Sequence, residues 1–345
     1  MMVTLMNETV EPKQRNFFTR PLQFVAHWRS LPPYELIGYV MMFAAPTMFA
    51  YGIHPYSLEV VKLVVLTIAT LYVAYFAALI WNDITDKDID IVVHPKRPLP
   101  RGQISPRKFF AIALVFSALT FLFSVLMSLW CFILVGATAL FVAVHDKYLK
   151  RLIHLPAYSE IFTPVQWLTM PLLGFFAVWT ALPPTGDMGI SVPVLGYISI
   201  QNSQLLPMVL LVLFTYIIDD AHDVAEGIHD VEGDRRLGVK TYATSYGEKT
   251  AAKISFAMYL FSGVIGILLF LYTLLSWVFL MPFLVIWIYT LRYAYKLVKT
   301  TDDLQRNQLG RLIGRKGFDL LIASYVLIFV DVLLQLLNTQ YLHWF

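Results

Sequence analysis

The sequence predicts an all-α polytopic membrane protein with nine transmembrane helices, and three observations carry that reading. Hydrophobic residues make up 58% of the 345 and charged residues 14%, against roughly 45–50% and about 25% in ordinary globular chains. The mean hydropathy is +0.65. The apolar residues gather into nine continuous segments, most near the ~20 residues that a spanning helix needs. The basic residues, finally, fall on alternate connections only. Such a composition cannot give a polar coat to a soluble enzyme or a repeat solenoid, and it excludes a disordered chain. Continuous rather than alternating apolar runs argue against a membrane β-barrel. A net charge of +3 gives no reason to expect a nucleic-acid partner; the lipid bilayer is the expected surrounding.

Residues 1–30 read as a polar cytoplasmic tail with Lys13, Arg15, Arg20 and Arg29. No apolar core of a signal peptide follows them, and Pro21–Ser30 is expected to lie on the membrane surface. Residues 31–345 read as one transmembrane domain. Its apolar segments run over 35–53, 60–81, 109–127, 130–145, 160–181, 193–218, 254–274, 276–298 and 318–339. Ser128–Trp130 parts the third from the fourth as a tight hairpin, and the seventh meets the eighth near Ser276–Trp277. Pro164, Pro171 and Gly174 predict a kink or an irregular turn in the fifth. The single cysteine, Cys131, lies in an apolar run and reads as a small core residue.

Nine spans place the chain ends on opposite sides. The tail and residues 82–108, 145–159, 219–253 and 292–317 hold 25 of the 26 basic residues, and the opposite connections hold none. By the positive-inside rule the first set is cytoplasmic and the C-terminus extracytoplasmic. The exception, Lys62, lies just inside the second span.

Two acidic clusters sit at cytoplasmic ends of spans. Asn82, Asp86 and Asp90 recur at i, i+4 and i+8 after the second span, with Asp83 beside them. Asp223, Glu226, Asp230 and Asp234 recur at i, i+3, i+7 and i+11 after the sixth. Each series stacks on one helical face, where its oxygens repel one another unless a cation sits among them. Taken singly, such acids are also what a solvated helix end looks like. All-oxygen ligands favour Mg²⁺ or Mn²⁺ over zinc, and Mg²⁺ commonly completes its shell with water and substrate phosphates. A second ligand set, His222, Glu226 and His229 at i, i+4 and i+7, leaves zinc as an alternative. It lacks the HExxH spacing of metalloproteases.

Basic residues supply the other half of an anion site. Arg97, held between Lys96 and Pro98 close to Asp90, is placed to meet a phosphate; Lys147, Lys150 and Arg151 follow the fourth span. A diphosphate bridged by Mg²⁺ and flanked by Arg and Lys is a good leaving group. An apolar chamber would hold its greasy tail. The physical reading is metal-assisted ionisation of an isoprenyl diphosphate shielded from water. A cation-coupled transporter is the reading from another class, but its carboxylates belong mid-span and no inverted repeat is apparent.

At these residues the chain resembles the UbiA superfamily of intramembrane prenyltransferases. Asn82, Asp83, Asp86 and Asp90 match its NDxxDxxxD motif, and HPKRPLPRGQIS is similar to its RPLPSG continuation. Asp223, Asp230 and Asp234 match DxxxxxxDxxxD, followed by EGDRRLGVKT. The likeness covers roughly residues 30–340. It implies nine helices around a central cavity, with a cytoplasmic cap of motif loops, a Mg²⁺ cofactor and an isoprenyl diphosphate donor. Asp86, Asp90, Asp230 and Asp234 take the catalytic metal-holding positions, with Asn82, Asp83, Asp223 and Glu226 completing the ligand set. Arg97, Lys150 and Lys240 would bind the diphosphate. Two departures stand out. The family's YxxxK retains Lys150 but has Asp146 at the tyrosine position, with Tyr148 nearby as its substitute; and the second motif holds Ala225-Glu226-Gly227. The expected reaction is prenyl transfer to an aromatic or other lipophilic acceptor. The superfamily's terpene cyclases, which ionise the same donor without an acceptor, are the alternative.

Overall fold

Inside a bilayer no water is present to satisfy a backbone, so apolar runs close their own hydrogen bonds as helices. The computed structural model describes residues 33–85, 87, 91, 97–183 and 186–339. The helices are α1 (Pro33–Tyr51), α2 (Leu58–Thr85), α3 (Pro106–Met127), α4 (Leu129–Val144), α5 (Tyr158–Phe162) and α6 (Val165–Ala181). After a hairpin of β1 (Met188–Val192) and β2 (Gly196–Ile200) come α7 (Asn202–Leu237), α8 (Tyr242–Tyr246), α9 (Glu248–Tyr272), α10 (Trp277–Lys299) and α11 (Asp303–Leu337). A π-helical turn, His145–Leu149, and one α-turn, Lys150–Leu152, extend α4.

The long helices close a ring. α1 packs on α2, α2 on α3, α3 on α4, α4 on α6, α6 on α7, α7 on α9, α9 on α10 and α10 on α11, which returns to α1. The most extensive contacts across it are α1 with α6 and α7 with α11. Gly310 and Gly317 of α11 make the second possible. A Cβ at Gly310 would lie 2.6 Å from the Ala225 carbonyl, and one at Gly317 2.6 Å from the His222 Cβ. Small residues let two backbones approach where van der Waals packing drives association.

Among the described residues, eight helical stretches are long and apolar enough to cross a membrane. They cover all the expected spans but the first. That segment forms α1, whose 19 residues include Glu35 and Pro46 and whose inner face, from Tyr39 through Ala50, is mostly buried. The expected breaks are present. Ser128 ends α3, accepts the Cys131 N–H at 3.1 Å and so starts α4. Thr163 and Pro164 separate α5 from α6, and Cys131 is buried.

The sixth segment needs correction. Residues 193–201, expected in a span, instead form a turn and strand: Met188 pairs with Ile200 and Val192 with Gly196 in antiparallel register. Their apolar content mimics a span, but Pro193 and Gly196 supply turn chemistry, and the alternation around Ile198 and Ile200 suits a strand. The helix starts later and runs further. At 36 residues α7 is about 54 Å long, well beyond the ~30 Å of hydrocarbon. Its second half therefore projects past the apolar span as continuous helix and carries the expected acidic face in one piece. Gly238, at φ 74°, ends it by a left-handed turn, and the Val239 N–H bonds the Asp234 carbonyl at 2.9 Å.

Expectations for the tail, for Pro21–Ser30 and for the chain's last residues lie outside the described residues. The mid-span acid of α11 has a structural task. Asp331, fully buried, accepts the Ser276 N–H and hydroxyl at 2.6 Å each and so anchors Ser276, the residue that caps α10.

Candidate metal and diphosphate site

The continuous α7 helix turns the spacing of its acids into a surface. His222, Asp223 and Glu226 each offer one ligand atom within 4.8 Å of the others. His222 is buried; its Nε2 lies 3.0 Å from Asp219 Oδ1 and its Nδ1 3.4 Å from Asp223 Oδ1. Asp219 and Asp220 are 1% exposed. Glu160, on α5, is buried too, and its Oε2 accepts the Tyr242 N–H. Among the described residues five carboxylate oxygens here are buried without a hydrogen-bond partner: Glu160 Oε1, Asp219 Oδ2, both oxygens of Asp220, and Asp223 Oδ2. Burying an uncompensated charge costs several kcal/mol or more. Oxygens left without a partner at such a cost, next to the His222, Asp223 and Glu226 group, fit a hard divalent cation. Tyr242, beyond the spans, senses the same field. Its phenol is pushed above its ordinary value by burial first, then by Asp220, Tyr216 and Glu160.

Further along α7, Asp230 is exposed and Asp234 half-buried. Lys150 lies near enough for its charge to act on both Asp223 and Asp234. Lys240 is half-buried and its carbonyl accepts the Ser159 N–H at 3.0 Å. Tyr148 is exposed, with the Lys147 ammonium 5.1 Å from its ring centre.

The first cluster is arranged differently. Asp83, 2% exposed, forms an ion pair with Arg97, Nη1 to Oδ1 3.2 Å. The structure thus joins an expected metal ligand to the expected diphosphate binder. Asn82 is half-buried beside them; Asp86 and Asp90 lie outside the described residues.

The zinc alternative does not assemble. His229 Nδ1 meets Asn307 Oδ1 at 2.7 Å, and Asn307 Nδ2 donates to the His229 carbonyl at 2.7 Å. This turns His229 onto α11, away from Glu226. The sequence reading missed Glu160, Asp219 and Asp220; it grouped His222 correctly with Glu226 but added His229 where the structure places Asp223. For Glu160 a signal existed: a lone acid at the threshold of an apolar segment calls for a partner or a function.

Aromatic rings continue inward from the acids. Phe318 packs edge-on to His222 at 5.5 Å and to Trp167 at 5.6 Å, and lies 6.5 Å from Tyr39. Tyr75 stands 4.9 Å from Tyr39 and 5.9 Å from Trp167. Four helices, α1, α2, α6 and α11, contribute to this wall. Glu35 fixes Tyr39 by accepting its hydroxyl at 3.1 Å while pairing with Arg315 of α11.

A helical ring with a carboxylate cluster beside an aromatic wall defines the class, a multi-pass membrane protein. The chain belongs to the UbiA prenyltransferase family, which it matches over residues 41–313. It is 26% identical over 202 residues to a digeranylgeranylglyceryl phosphate synthase of Natronomonas pharaonis. That match spans 58% of this chain and 62%, less than two thirds, of the relative. The fold is similar to that of a UbiA homolog from Aeropyrum pernix K1, with a TM-score of 0.63 and 18% identity over 88% of this chain and 98% of the other. A UbiA homolog from Archaeoglobus fulgidus bound to DMAPP and Mg²⁺ aligns with a TM-score of 0.52 and 15% identity, covering 86% of this chain and 98% of that one.

Proposed function

We propose that the protein transfers a prenyl group from an isoprenyl diphosphate to a lipophilic acceptor within the membrane, with Mg²⁺ as cofactor. The observation that carries this is the set of five orphaned carboxylate oxygens beside Lys150, at one end of an apolar ring. Asp223, Glu226, Asp230 and Asp234 hold the cation from α7, and Asn82, Asp86 and Asp90 from the first cluster. Bound Mg²⁺ supplies the charge neutralisation that makes diphosphate a leaving group. Lys150 and Lys240 bind the diphosphate oxygens. Arg97 does so too, with Asp83 orienting its guanidinium rather than holding metal. Tyr39, Tyr75, Trp167 and Phe318 exclude water and turn π faces toward the allylic cation.

The donor's C1–O bond breaks and its electron pair leaves with diphosphate. A bond then forms from C1 to the acceptor, which gives up one proton. The name borne by the Natronomonas relative supports a glycerophosphate-type alcohol as acceptor over an aromatic ring. The segregation of basic residues supports a cytoplasmic site and an extracytoplasmic C-terminus. A reporter fused after Phe345 and active only in the cytoplasm would contradict that orientation.

The test is incubation of the purified protein with isoprenyl diphosphates of graded length and Mg²⁺, with a prenylated glycerophosphate, an aromatic acid or no acceptor. Products are read by mass spectrometry. Acceptor-dependent diphosphate release and an alkylated glycerophosphate are expected. A cyclic hydrocarbon without acceptor would make the protein a cyclase. No release, with ion-dependent uptake into liposomes, would make it a transporter.

A further inference from the structure

Along the acidic face of α7 the positions in register are 223, 227, 230 and 234, at i, i+4, i+7 and i+11. Three carry aspartate, and the fourth is Gly227. The space above that gap is filled from another element: a Cβ built on Gly227 would collide with Glu160 Oε1. We propose that Glu160 is a ligand of the bound cation, supplying from α5 the carboxylate that α7 lacks at Gly227. This rests on the metal reading of the site given above.

The backbone around Glu160 is fixed on both sides. Its α5 turn starts at Ala157, held at φ 57°, whose N–H bonds Ser245 Oγ at 3.0 Å. The Ser159 N–H bonds the Lys240 carbonyl, and Tyr216 Oη donates to the Ile161 carbonyl at 2.9 Å. These bonds tie α5 to α7, to the turn after it and to α8. Within the side chain the two oxygens have separate tasks. Oε2 accepts the Tyr242 N–H and is thereby oriented. Oε1 is buried, has no partner among the described residues, and points at the face that carries Asp223 and Asp234. A carboxylate needed only to secure α8 through Tyr242 would require one oxygen, and an amide would serve equally. A carboxylate with one oxygen anchored and the other set at the Gly227 position, near enough for Asp223, Asp220 and Asp234 to act on its charge, has the form of a ligand held by an outer hydrogen bond.

The distinction sets the experiment: Mn²⁺ binding to the purified full-length protein, followed by electron paramagnetic resonance without any prenyl substrate. Glu160→Gln keeps an oxygen for the Tyr242 N–H and removes the charge. We expect it to weaken Mn²⁺ binding by about tenfold or more. Gly227→Asp alone places a second side chain in occupied space and weakens binding as well. Glu160→Ala combined with Gly227→Asp returns a carboxylate to the vacated space and restores binding to within about threefold of the wild type. This double variant decides the matter if Glu160→Gln does not fold. Wild-type affinity in folded Glu160→Gln, or a double variant no better than Glu160→Ala alone, would overturn the assignment of Glu160. Absence of Mn²⁺ binding in the wild type would overturn the metal reading of the whole site, and this assignment with it.

Discussion

The two acidic clusters differ in how their charge is met. At the end of α2, Asp83 is compensated from within the chain by Arg97, 3.2 Å away. Midway along α7, His222 pairs with Asp219 and Asp223, yet Asp219 Oδ2, both Asp220 oxygens, Asp223 Oδ2 and, from α5, Glu160 Oε1 stay buried without a partner among the described residues, and the Lys150 charge reaches Asp223 and Asp234. Equal-looking motifs thus have unequal chemistry. The first described acid orients an arginine, whereas the second group keeps buried oxygens that its own His222 does not satisfy. A carboxylate that already has a guanidinium partner stabilises the fold. Carboxylates left unpaired against their desolvation cost stabilise a bound state instead.

The largest effect that separates the clusters is expected for Asp223→Ala. It should lower prenyl transfer by at least about 100-fold, since even an outer-shell partner of a metal commonly costs 10–100-fold. The fold should survive, because the loss relieves repulsion. Steady-state kinetics on protein of unchanged circular dichroism checks this, and a near-wild-type rate would reduce the cluster to solvated helix surface.

Next comes the response to metal. Saturating Mg²⁺ at about 100 times its dissociation constant stabilises a protein by roughly 2.7 kcal/mol. Thermal unfolding should therefore shift upward with Mg²⁺ and back with EDTA in the wild type. The shift should vanish in Asp223→Ala and persist in Arg97→Ala. Equal loss in both would mean that the clusters are not distinct in the way described.

Arg97→Ala should show a stability cost of its own, about 1.5–3 kcal/mol, the worth of a hydrogen bond to a charged group. Asp83→Asn in the same chain should recover part of it, as a double-mutant cycle in denaturant would show. Arg97→Lys keeps the charge but loses the planar fork. It should lower efficiency for the donor with every acceptor alike, and an effect confined to one acceptor would move Arg97 to acceptor binding. The smallest effect is expected at His229, which bonds Asn307 rather than metal. His229→Ala should cost roughly 0.5–1.5 kcal/mol of stability and leave Mn²⁺ affinity unchanged.

The spans were legible because hydropathy reports transfer into lipid directly, as were the break at Ser128 and the turn at Pro164. Hydropathy misled at residues 193–201, where an apolar hairpin and an apolar span look alike until turn chemistry is weighed. The acidic face of α7 could be read because i, i+3 and i+7 spacing is local. Glu160 could not be assigned to that face, since it reaches Gly227 from 67 positions earlier in the chain, and no periodicity connects them. The Asp83–Arg97 pair was hidden for a related reason. Both residues were singled out, yet spacing does not tell whether an arginine beside a motif meets the ligand or the motif.

The most direct test of the difference between the clusters is anomalous scattering from crystals of the full chain grown with Mn²⁺ and a non-ionising prenyl diphosphate analogue. The account predicts manganese density within coordination distance of the α7 carboxylates, with the diphosphate between it and Lys150, and Asp83 still paired with Arg97. Manganese bound to Asp83 with Arg97 displaced, and none against Asp223 or Glu160, would contradict it.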